Sequence, residues 1–192
     1  MPDLILASTS PYRRILLERL GLPFRCLRPT CDEEALKEPP RPPRQLAADL
    51  ADAKAASIAV EQPQAVVIGS DQLACIDEAI LGKPGSVEAA VAQLAQLSGR
   101  CHSLITAVTI RCGERVQRHL DETQLTMHAL DEAALRRYVD RDQPLDCAGA
   151  YKIEAGGIAL FSAIDSRDHS AITGLPLIAV ADLLRQHGFV IP

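Results

Sequence analysis

The alternation of short apolar runs with segments of helical periodicity most constrains the fold of this 192-residue chain. Strands are predicted over Leu4–Ala7, Phe24–Leu27, Ala65–Gly69, Leu73–Ile76, Leu104–Ile110, Val116–Leu120 and Leu125–Met127. Helices are predicted over Pro11–Leu20, Arg44–Val60, Ser86–Leu97, Asp131–Arg141 and Leu175–His187. Because strands and helices interleave, we expect an α/β fold. The sequence RCGERV is typical of a hairpin turn, which adds antiparallel pairing and makes the expected sheet mixed.

Length and composition exclude several classes of protein. The length suffices for one substantial core, so we expect a single domain over residues 1–192. A net charge of −5 and the lack of tryptophan argue against a general nucleic-acid binder. No apolar run approaches the roughly 20 residues that cross a membrane, so we expect a soluble, cytoplasmic protein. The six cysteines include no C-x-x-C pair, which argues against a zinc site.

The opening stretch, LILASTSPYRRILLERLG, is typical of a strand, a hydroxyl-rich turn and a helix. Ser10 fits the N-cap and Pro11 the first helical position. Two arginines then stand in the first turn, where the helix macrodipole disfavours cations. Ser8, Thr9 and Ser10 with Arg13 are suited to hold a phosphate group at the helix N-terminus. The alternative is a capped helix whose arginines extend into solvent.

A second candidate segment is AVVIGSDQLACIDEAILGKP, residues 65–84. Asp71 interrupts two apolar stretches, which predicts a carboxylate at the end of a buried strand, where an unpaired charge is costly. A metal ion, a lysine or a reacting water would resolve that cost. Lys83 follows in a rigid turn after a short hairpin. The alternative is a turn aspartate and a surface lysine.

The helix after the proline-rich stretch carries a lysine on its apolar stripe. Leu46, Leu50 and Lys54 follow at intervals of four residues, so Lys54 either extends out to solvent or lines a cleft. Upstream, Asp32, Glu33 and Glu34 bring three carboxylates together. That arrangement suits a hard divalent cation or a solvated acidic turn.

The last candidate segment is CAGAYKIEAGGIALF, residues 147–161. Small residues flank Tyr151, Lys152 and Glu154. In an extended segment Lys152 and Glu154 point to the same side, as in the wall of a polar pocket or in a surface ion pair.

Seven motifs follow one another along nearly the whole chain: STSPYRRILL, CDE, DAKA, IGSDQ, GKP, CAGAYKIE and TGLPLIAVADLL. In this order and spacing they resemble the Maf family of nucleotide pyrophosphatases. The resemblance implies a Maf/ITPase-like α/β fold, an elongated mixed β-sheet with flanking helices and two lobes around a central cleft. It also implies hydrolysis of a nucleoside triphosphate between the α- and β-phosphates, giving a nucleoside monophosphate and pyrophosphate.

The resemblance further assigns roles to residues. Asp71 is implied to be the proton acceptor that activates water, with Lys54 and Lys83 as further catalytic residues. A divalent cation (Mg²⁺, Mn²⁺ or Co²⁺) is implied near Glu33 and Asp71. The implied substrate-binding residues are Ser8, Ser10, Arg13 and Lys152. A homodimer is expected by resemblance alone, and neither nucleic acid nor membrane is expected as a partner.

Within the family the chain is most similar to the branch that acts on 7-methyl-GTP. The similarity rests on the aromatic Tyr12, on Gln72 after the aspartate, and on Lys152 with Glu154 in AGAYKIE. Methylation at N7 makes the guanine ring cationic, and a carboxylate at position 154 can accept both hydrogens of its N1 and N2 edge. The alternatives are a pyrophosphatase for dTTP, UTP or another non-standard nucleotide, or a non-catalytic regulator of septum formation in cell division.

Overall fold

The computed structural model describes residues 2–191, in which seven α-helices and seven β-strands occur. In chain order these are β1 (Leu4–Ala7), α1 (Pro11–Glu18), β2 (Arg25–Leu27), α2 (Glu33–Lys37), α3 (Pro43–Ala59), β3 (Val66–Ile76), β4 (Ala79–Leu81), α4 (Val87–Leu97), β5 (Cys101–Cys112), β6 (Arg115–Met127), α5 (Glu132–Asp142), β7 (Phe161–Asp165), α6 (His169–Ile172) and α7 (Leu177–Gln186). Over this part of the chain no helix combines the length and apolar character that crossing a membrane requires.

The strands form a mixed sheet in the order β2-β1-β3-β5-β6-β7, with β4 paired to β3 outside that path. Strand β1 pairs in parallel with both β2 and β3. Strand β4 pairs antiparallel with β3, and β7 antiparallel with β6. The predicted α/β class and mixed sheet are therefore confirmed.

Two strands of the structure each join two strands that were predicted separately. Strand β3 runs unbroken through Ser70, Asp71 and Gln72, so the prediction that Asp71 ends a strand is wrong. Polar residues inside a buried strand were interpreted as a break because an unpaired polar group there is costly, but these three side chains have partners. Strand β6 likewise joins two predicted strands.

Three short elements were not predicted, namely α2, β7 and α6. Each has four or five residues, which is too short to show a hydrophobic period. Helix α2 occupies part of the acidic stretch for which a cation site and a solvated turn were the two alternatives.

Two compact units make up the described chain, and each is described here by itself. The first comprises residues 2–72, 106–121 and 168–191. The second comprises residues 73–105 and 122–167. Strands β3, β5 and β6 contribute residues to both units.

The core of the first unit lies on both faces of β1. Leu4 and Leu6 point into a cluster built with residues of α1 and α7, such as Leu17 and Leu184. Ile5 and Ala7 point the other way, into a cluster with Ala55 and Ile58 of α3. Because alternate residues of β1 face different helices, all four are buried, which explains its uninterrupted apolar sequence.

The second unit contains the β3–β4 hairpin, helices α4 and α5, and strand β7. Its buried interior includes three aromatic rings, of His102, Tyr151 and Phe161, whose centroids lie 4.9–5.8 Å apart. The hairpin turn, Asp77-Glu78, has positive φ at both residues. The predicted short hairpin before Lys83 is therefore confirmed.

Candidate active site

A buried lysine shared by two carboxylates lies in the first unit. Lys54 Nζ lies 2.5 Å from Asp71 Oδ1 and 3.0 Å from Glu33 Oε2. Lys54 and Asp71 are both only 7% exposed. Lys54 therefore does not extend to solvent. It balances the charge of Asp71, so a lysine, one of the three partners considered from the sequence, offsets the cost of burying this carboxylate.

A close approach of α3 to β3 brings Lys54 to Asp71. Gly69 lies two residues before Asp71, and a Cβ at this position would stand 2.3 Å from Ala51 O and 2.6 Å from Ala55 N. Only a residue without a side chain lets the helix lie this near the strand. The glycine of the IGSDQ motif thus sets the distance across which the lysine reaches the aspartate.

The start of α1 has the capped geometry that the sequence predicted. Ser10 is extended, and its side chain accepts a hydrogen bond from Arg13 N at 3.4 Å. Pro11 occupies the first helical position. Ser8 is buried, and its hydroxyl oxygen accepts from Ser10 N at 3.1 Å. The turn before α1 is therefore held by two side-chain hydrogen bonds.

The two arginines in the first turn of α1 have different environments. Arg14 is exposed and forms a 2.9 Å ion pair with Glu18. The alternative interpretation, an arginine that extends into solvent, is therefore correct for Arg14. Arg13 is half-buried, and its Nε donates to Gly174 O at 2.9 Å. Burial lowers the pKa of Arg13 below its usual value, and the carboxylates of Asp71 and Glu33 offset part of this decrease. Those two carboxylates therefore help keep a cation at the N-terminus of α1.

The side chain of Gln72 is hydrogen-bonded to α6. Its Nε2 lies 2.8 Å from Ala171 O, 3.0 Å from Ile172 O and 3.0 Å from Thr106 Oγ1. The amide group of Gln72 is therefore oriented with its nitrogen toward this helix. Tyr12 lies half-buried in the first turn of α1.

Several polar residues of the first unit were missed in the sequence. Four of them are buried: Ser70, Thr106, Asp168 and Ser170. Asp168 and Ser170 are hydrogen-bonded to each other, and Ser70 and Thr106 donate hydrogen bonds to backbone carbonyls of residues 168–178. The available signal was the spacing Asp-x-Ser in DHSAITGLPL, which is typical of a side-chain cap. The buried hydroxyls of Ser70 and Thr106 gave no local signal because their partners are distant in sequence.

In the second unit, Lys83 is exposed and lies two residues after the end of β4. Lys152 is half-buried, and its Nζ lies 3.1 Å from Gln143 O and 3.5 Å from Asp146 Oδ1. Glu154 is exposed and lies in a turn over residues 153–155. The segment is therefore not extended, and the argument that Lys152 and Glu154 point to the same side, which requires an extended segment, is wrong.

Two tyrosines hold the segment that carries Lys152. Tyr138 accepts a hydrogen bond from Lys152 N at 2.9 Å. The buried Tyr151 hydroxyl shares a 2.9 Å hydrogen bond with His102 Nε2. Burial lowers the pKa of His102 to about 4, so the imidazole is neutral at pH 7. These contacts fix the backbone around Lys152.

The two carboxylates near Lys54 suit a hard divalent cation that takes only a few of its ligands from the protein. Within residues 2–191 no group of three or more His, Cys, Asp or Glu side chains is placed to hold a metal ion. Glu33 and Asp71 supply two carboxylates, and each uses one oxygen toward Lys54. Mg²⁺ commonly takes one or two carboxylates from the protein and completes its shell with water and substrate phosphate. The two residues fit that pattern.

Comparison with known proteins gives a consistent result. Residues 3–187 match the family described as Maf-like protein. A 7-methyl-GTP pyrophosphatase of Xanthomonas axonopodis pv. citri is 50% identical over 192 residues, which is 100% of both chains. A 7-methyl-GTP pyrophosphatase of Bdellovibrio bacteriovorus is 45% identical over 182 residues, 95% of each chain. Among solved structures, the Staphylococcus aureus Ham1 protein has a TM-score of 0.46 at 12% identity, covering 66% of this chain and 72% of that chain.

Proposed function

This chain belongs to the Maf family, and on that premise we propose that it hydrolyses nucleoside triphosphates between the α- and β-phosphates, with 7-methyl-GTP as its substrate. The family and branch predicted from the motifs agree with relatives of that name at 42–50% identity. The observation that carries the proposal is the buried contact between Lys54 and Asp71, with Arg13 held nearby. A charged cluster of this kind is costly to bury, and such clusters are found preferentially at functional sites.

The substrate of the proposed reaction is a polyanion. The N-terminus of α1, with Ser8, Ser10 and Arg13, offers backbone N–H groups, hydroxyls and a guanidinium, which are the groups that bind phosphate. Lys54 adds an ammonium with one N–H left after its two ion pairs. We assign Lys83 and Lys152 of the second unit to the same substrate as further cations.

Asp71 is the proposed proton acceptor. Its carboxylate takes one proton from the water whose oxygen bonds to phosphorus, while the bridging bond between the α- and β-phosphates breaks. The products are the nucleoside monophosphate and pyrophosphate, so no further reactant is needed. Lys54 holds Oδ1 of Asp71 and balances its charge, which keeps the base oriented during proton transfer.

Glu33 and Asp71 are the residues that would hold the divalent cation, Mg²⁺, Mn²⁺ or Co²⁺. Such an ion supplies positive charge to the phosphoryl oxygens as negative charge develops on them. Lys54 stands between the same two carboxylates and contributes the same sign of charge. The two carboxylates therefore serve both to bind a cation and to orient the lysine.

Recognition of the base is assigned to Glu154, Tyr12 and Gln72. Glu154 is exposed, and its carboxylate can accept from both N1–H and N2–H of guanine. Tyr12 can contribute a cation–π contact with the methylated ring, worth roughly 0.5–2 kcal/mol. Since the amide nitrogen of Gln72 is bonded to α6, only its Oε1 is left to interact with a base.

The proposal is tested by pyrophosphate release from 7-methyl-GTP, GTP, UTP, dTTP, ITP and XTP, each with Mg²⁺ or Mn²⁺ and each with excess EDTA. We expect metal-dependent release that is fastest with 7-methyl-GTP. Faster hydrolysis of dTTP, UTP, ITP or XTP would overturn the substrate assignment but not the reaction. Absence of release from every nucleotide would overturn the reaction and favour a non-catalytic role in cell division.

A further inference from the structure

The segment of residues 168–178, which contains α6 and the start of α7, is braced by its own polar side chains. Asp168 Oδ1 accepts from Ser170 N at 2.9 Å and from Ser170 Oγ at 2.5 Å, and its Oδ2 accepts from Ile178 N at 2.7 Å. Ser170 Oγ in turn accepts from Leu177 N at 2.8 Å. Both ends of the segment are therefore tied to one carboxylate.

Asp168 is 7% exposed, and within residues 2–191 no cation forms an ion pair with it. A buried carboxylate satisfied only by N–H and O–H donors costs more to bury than an apolar side chain of similar size. Charge-assisted hydrogen bonds of this kind are short and directional, so they hold the backbone at defined positions. The segment has the features of a rigid support.

The carbonyl groups of this segment point toward residues of the candidate active site. Gly174 O accepts from Arg13 Nε at 2.9 Å and from Ser70 Oγ at 3.0 Å. Ala171 O accepts from Gln72 Nε2 at 2.8 Å. Ser70 and Gln72 are the two neighbours of Asp71 in β3. One segment thus holds both neighbours of the proposed base and the arginine proposed to bind phosphate.

Gly174 controls the orientation of Arg13. Its φ is +111°, and a Cβ at this position would lie 3.3 Å from Arg13 Nε and 3.6 Å from Arg13 Cγ. Because Nε is used by the Gly174 carbonyl, the two terminal nitrogens of Arg13 are left for a ligand, and neither has a hydrogen-bond partner in residues 2–191. A planar guanidinium held through Nε presents these nitrogens in a fixed direction.

We propose that Asp168 and Ser170 are positioning residues for substrate binding, acting through the Gly174 carbonyl that orients Arg13. This rests on the proposed function, in which Arg13 binds the triphosphate. Neither Asp168 nor Ser170 touches the substrate in this proposal. Their role is to keep the Gly174 carbonyl at a fixed place relative to α1.

The test is a double-mutant cycle on the full chain with 7-methyl-GTP. Asp168→Asn keeps the shape of the side chain but replaces one acceptor oxygen with an NH₂ group, so at least one of the three hydrogen bonds fails. We expect kcat/KM to fall about tenfold in the wild-type background and less than about twofold in the Arg13→Ala background. The loss of kcat/KM in Asp168→Asn should come from KM and kcat in the same proportion as the loss in Arg13→Ala.

Ser170→Ala and Ser170→Thr provide a second pair, since only threonine keeps the hydroxyl group. We expect loss with alanine and recovery with threonine. Asp131→Asn is the matched control, because Asp131 caps a different helix, α5, through Ala134 N at 2.8 Å. It should leave kcat/KM unchanged in both backgrounds.

Equal losses from Asp168→Asn in both backgrounds, or no loss in either, would overturn the positioning role. Failure of both Asp168→Asn and Ser170→Ala to fold would also overturn it, since the segment would then support the whole unit and not Arg13. If Arg13→Ala is itself as active as the wild type, the phosphate-binding role of Arg13 fails instead. The two failures are therefore distinguishable.

Discussion

The ammonium group of Lys54 lies 2.5 Å from Asp71 Oδ1 and 3.0 Å from Glu33 Oε2, so one cation serves two carboxylates. Lys54 and Asp71 are 17 residues apart in the chain and lie on a helix and a strand. The glycine two residues before Asp71 is what allows that helix to lie close enough. This relationship makes Asp71 and Lys54 the most direct targets for mutation.

Replacing Asp71 with Asn should abolish most activity while leaving the fold intact. The amide has the same shape but cannot take a proton from water, and it removes one carboxylate from the proposed cation site. We expect kcat for pyrophosphate release to fall by at least about 100-fold. Asp182→Asn, which changes an exposed aspartate paired with Arg185, is the matched control and should retain full activity. Near-normal turnover in Asp71→Asn would remove Asp71 from the mechanism.

Variants of Lys54 and Lys83 should differ in whether the loss of activity is accompanied by a loss of stability. Lys54→Met leaves the buried carboxylate of Asp71 and the partly exposed carboxylate of Glu33 without their shared cation. The free energy of unfolding should therefore fall by roughly 1–3 kcal/mol along with kcat/KM. Lys83 is exposed, so Lys83→Ala should lower kcat/KM by about tenfold with an unchanged melting temperature. Urea titration and steady-state kinetics on both variants provide the comparison. A lowered melting temperature in Lys83→Ala without a kinetic effect would contradict the binding role of Lys83.

Glu154→Gln should reduce the preference for the methylated base. Glutamine has one acceptor oxygen in place of two and carries no charge, so the gain from a cationic ring is lost. We expect the ratio of kcat/KM for 7-methyl-GTP to that for GTP to fall about tenfold, with little change for GTP itself. Glu88→Gln, at an exposed position in α4, should leave the ratio as in the wild type. An unchanged ratio in Glu154→Gln would place base recognition elsewhere.

His102 should make the stability of the protein depend on pH. Burial lowers its pKa to about 4, while an unfolded chain holds histidine near its usual pKa of about 6.5. As pH falls from 6.5 to 4 the unfolded state gains a proton that the folded state does not, so folding becomes less favourable by up to about 3 kcal/mol. This part of the stability is fully present above pH 6.5.

The measurement is urea unfolding at several values of pH between 4 and 7. His102→Gln keeps an acceptor for the Tyr151 hydroxyl and does not titrate, so its free energy of unfolding should fall less than that of the wild type over this interval. His128→Gln, at an exposed position, should follow the wild type. Equal pH dependence in wild type and His102→Gln would contradict the assignment.

Local patterns in the sequence predicted much of the framework. Strand β1, with four consecutive buried residues, was predicted with its observed bounds, and the capped start of α1 followed from Ser10 and Pro11. These features depend on residues adjacent in the chain, where propensity and capping act directly. The family was predicted from seven short motifs, because their residues and their order along the chain can be read directly from the sequence.

Several features near the site depended on contacts that local sequence does not encode. Asp71 was placed at a strand end because a charge inside a strand needs a partner, and that partner, Lys54, lies on another element. The segment of Lys152 was interpreted as extended, but the backbone turns over residues 153–155, and Lys152 Nζ lies within hydrogen-bond distance of Gln143 O. Short elements such as α6 showed no period of their own.

The α/β class and the cap of α1 could be predicted, because each depends on residues within a few positions of one another in the chain. Which arginine turns inward and which lysine is buried depend instead on contacts between distant segments. Arg13 and Arg14 are adjacent and chemically identical, yet one bonds to Gly174 and the other to Glu18. The physical reason is that Gly174 lies 161 residues from Arg13 in the chain, and its carbonyl comes within hydrogen-bond distance only when the chain folds.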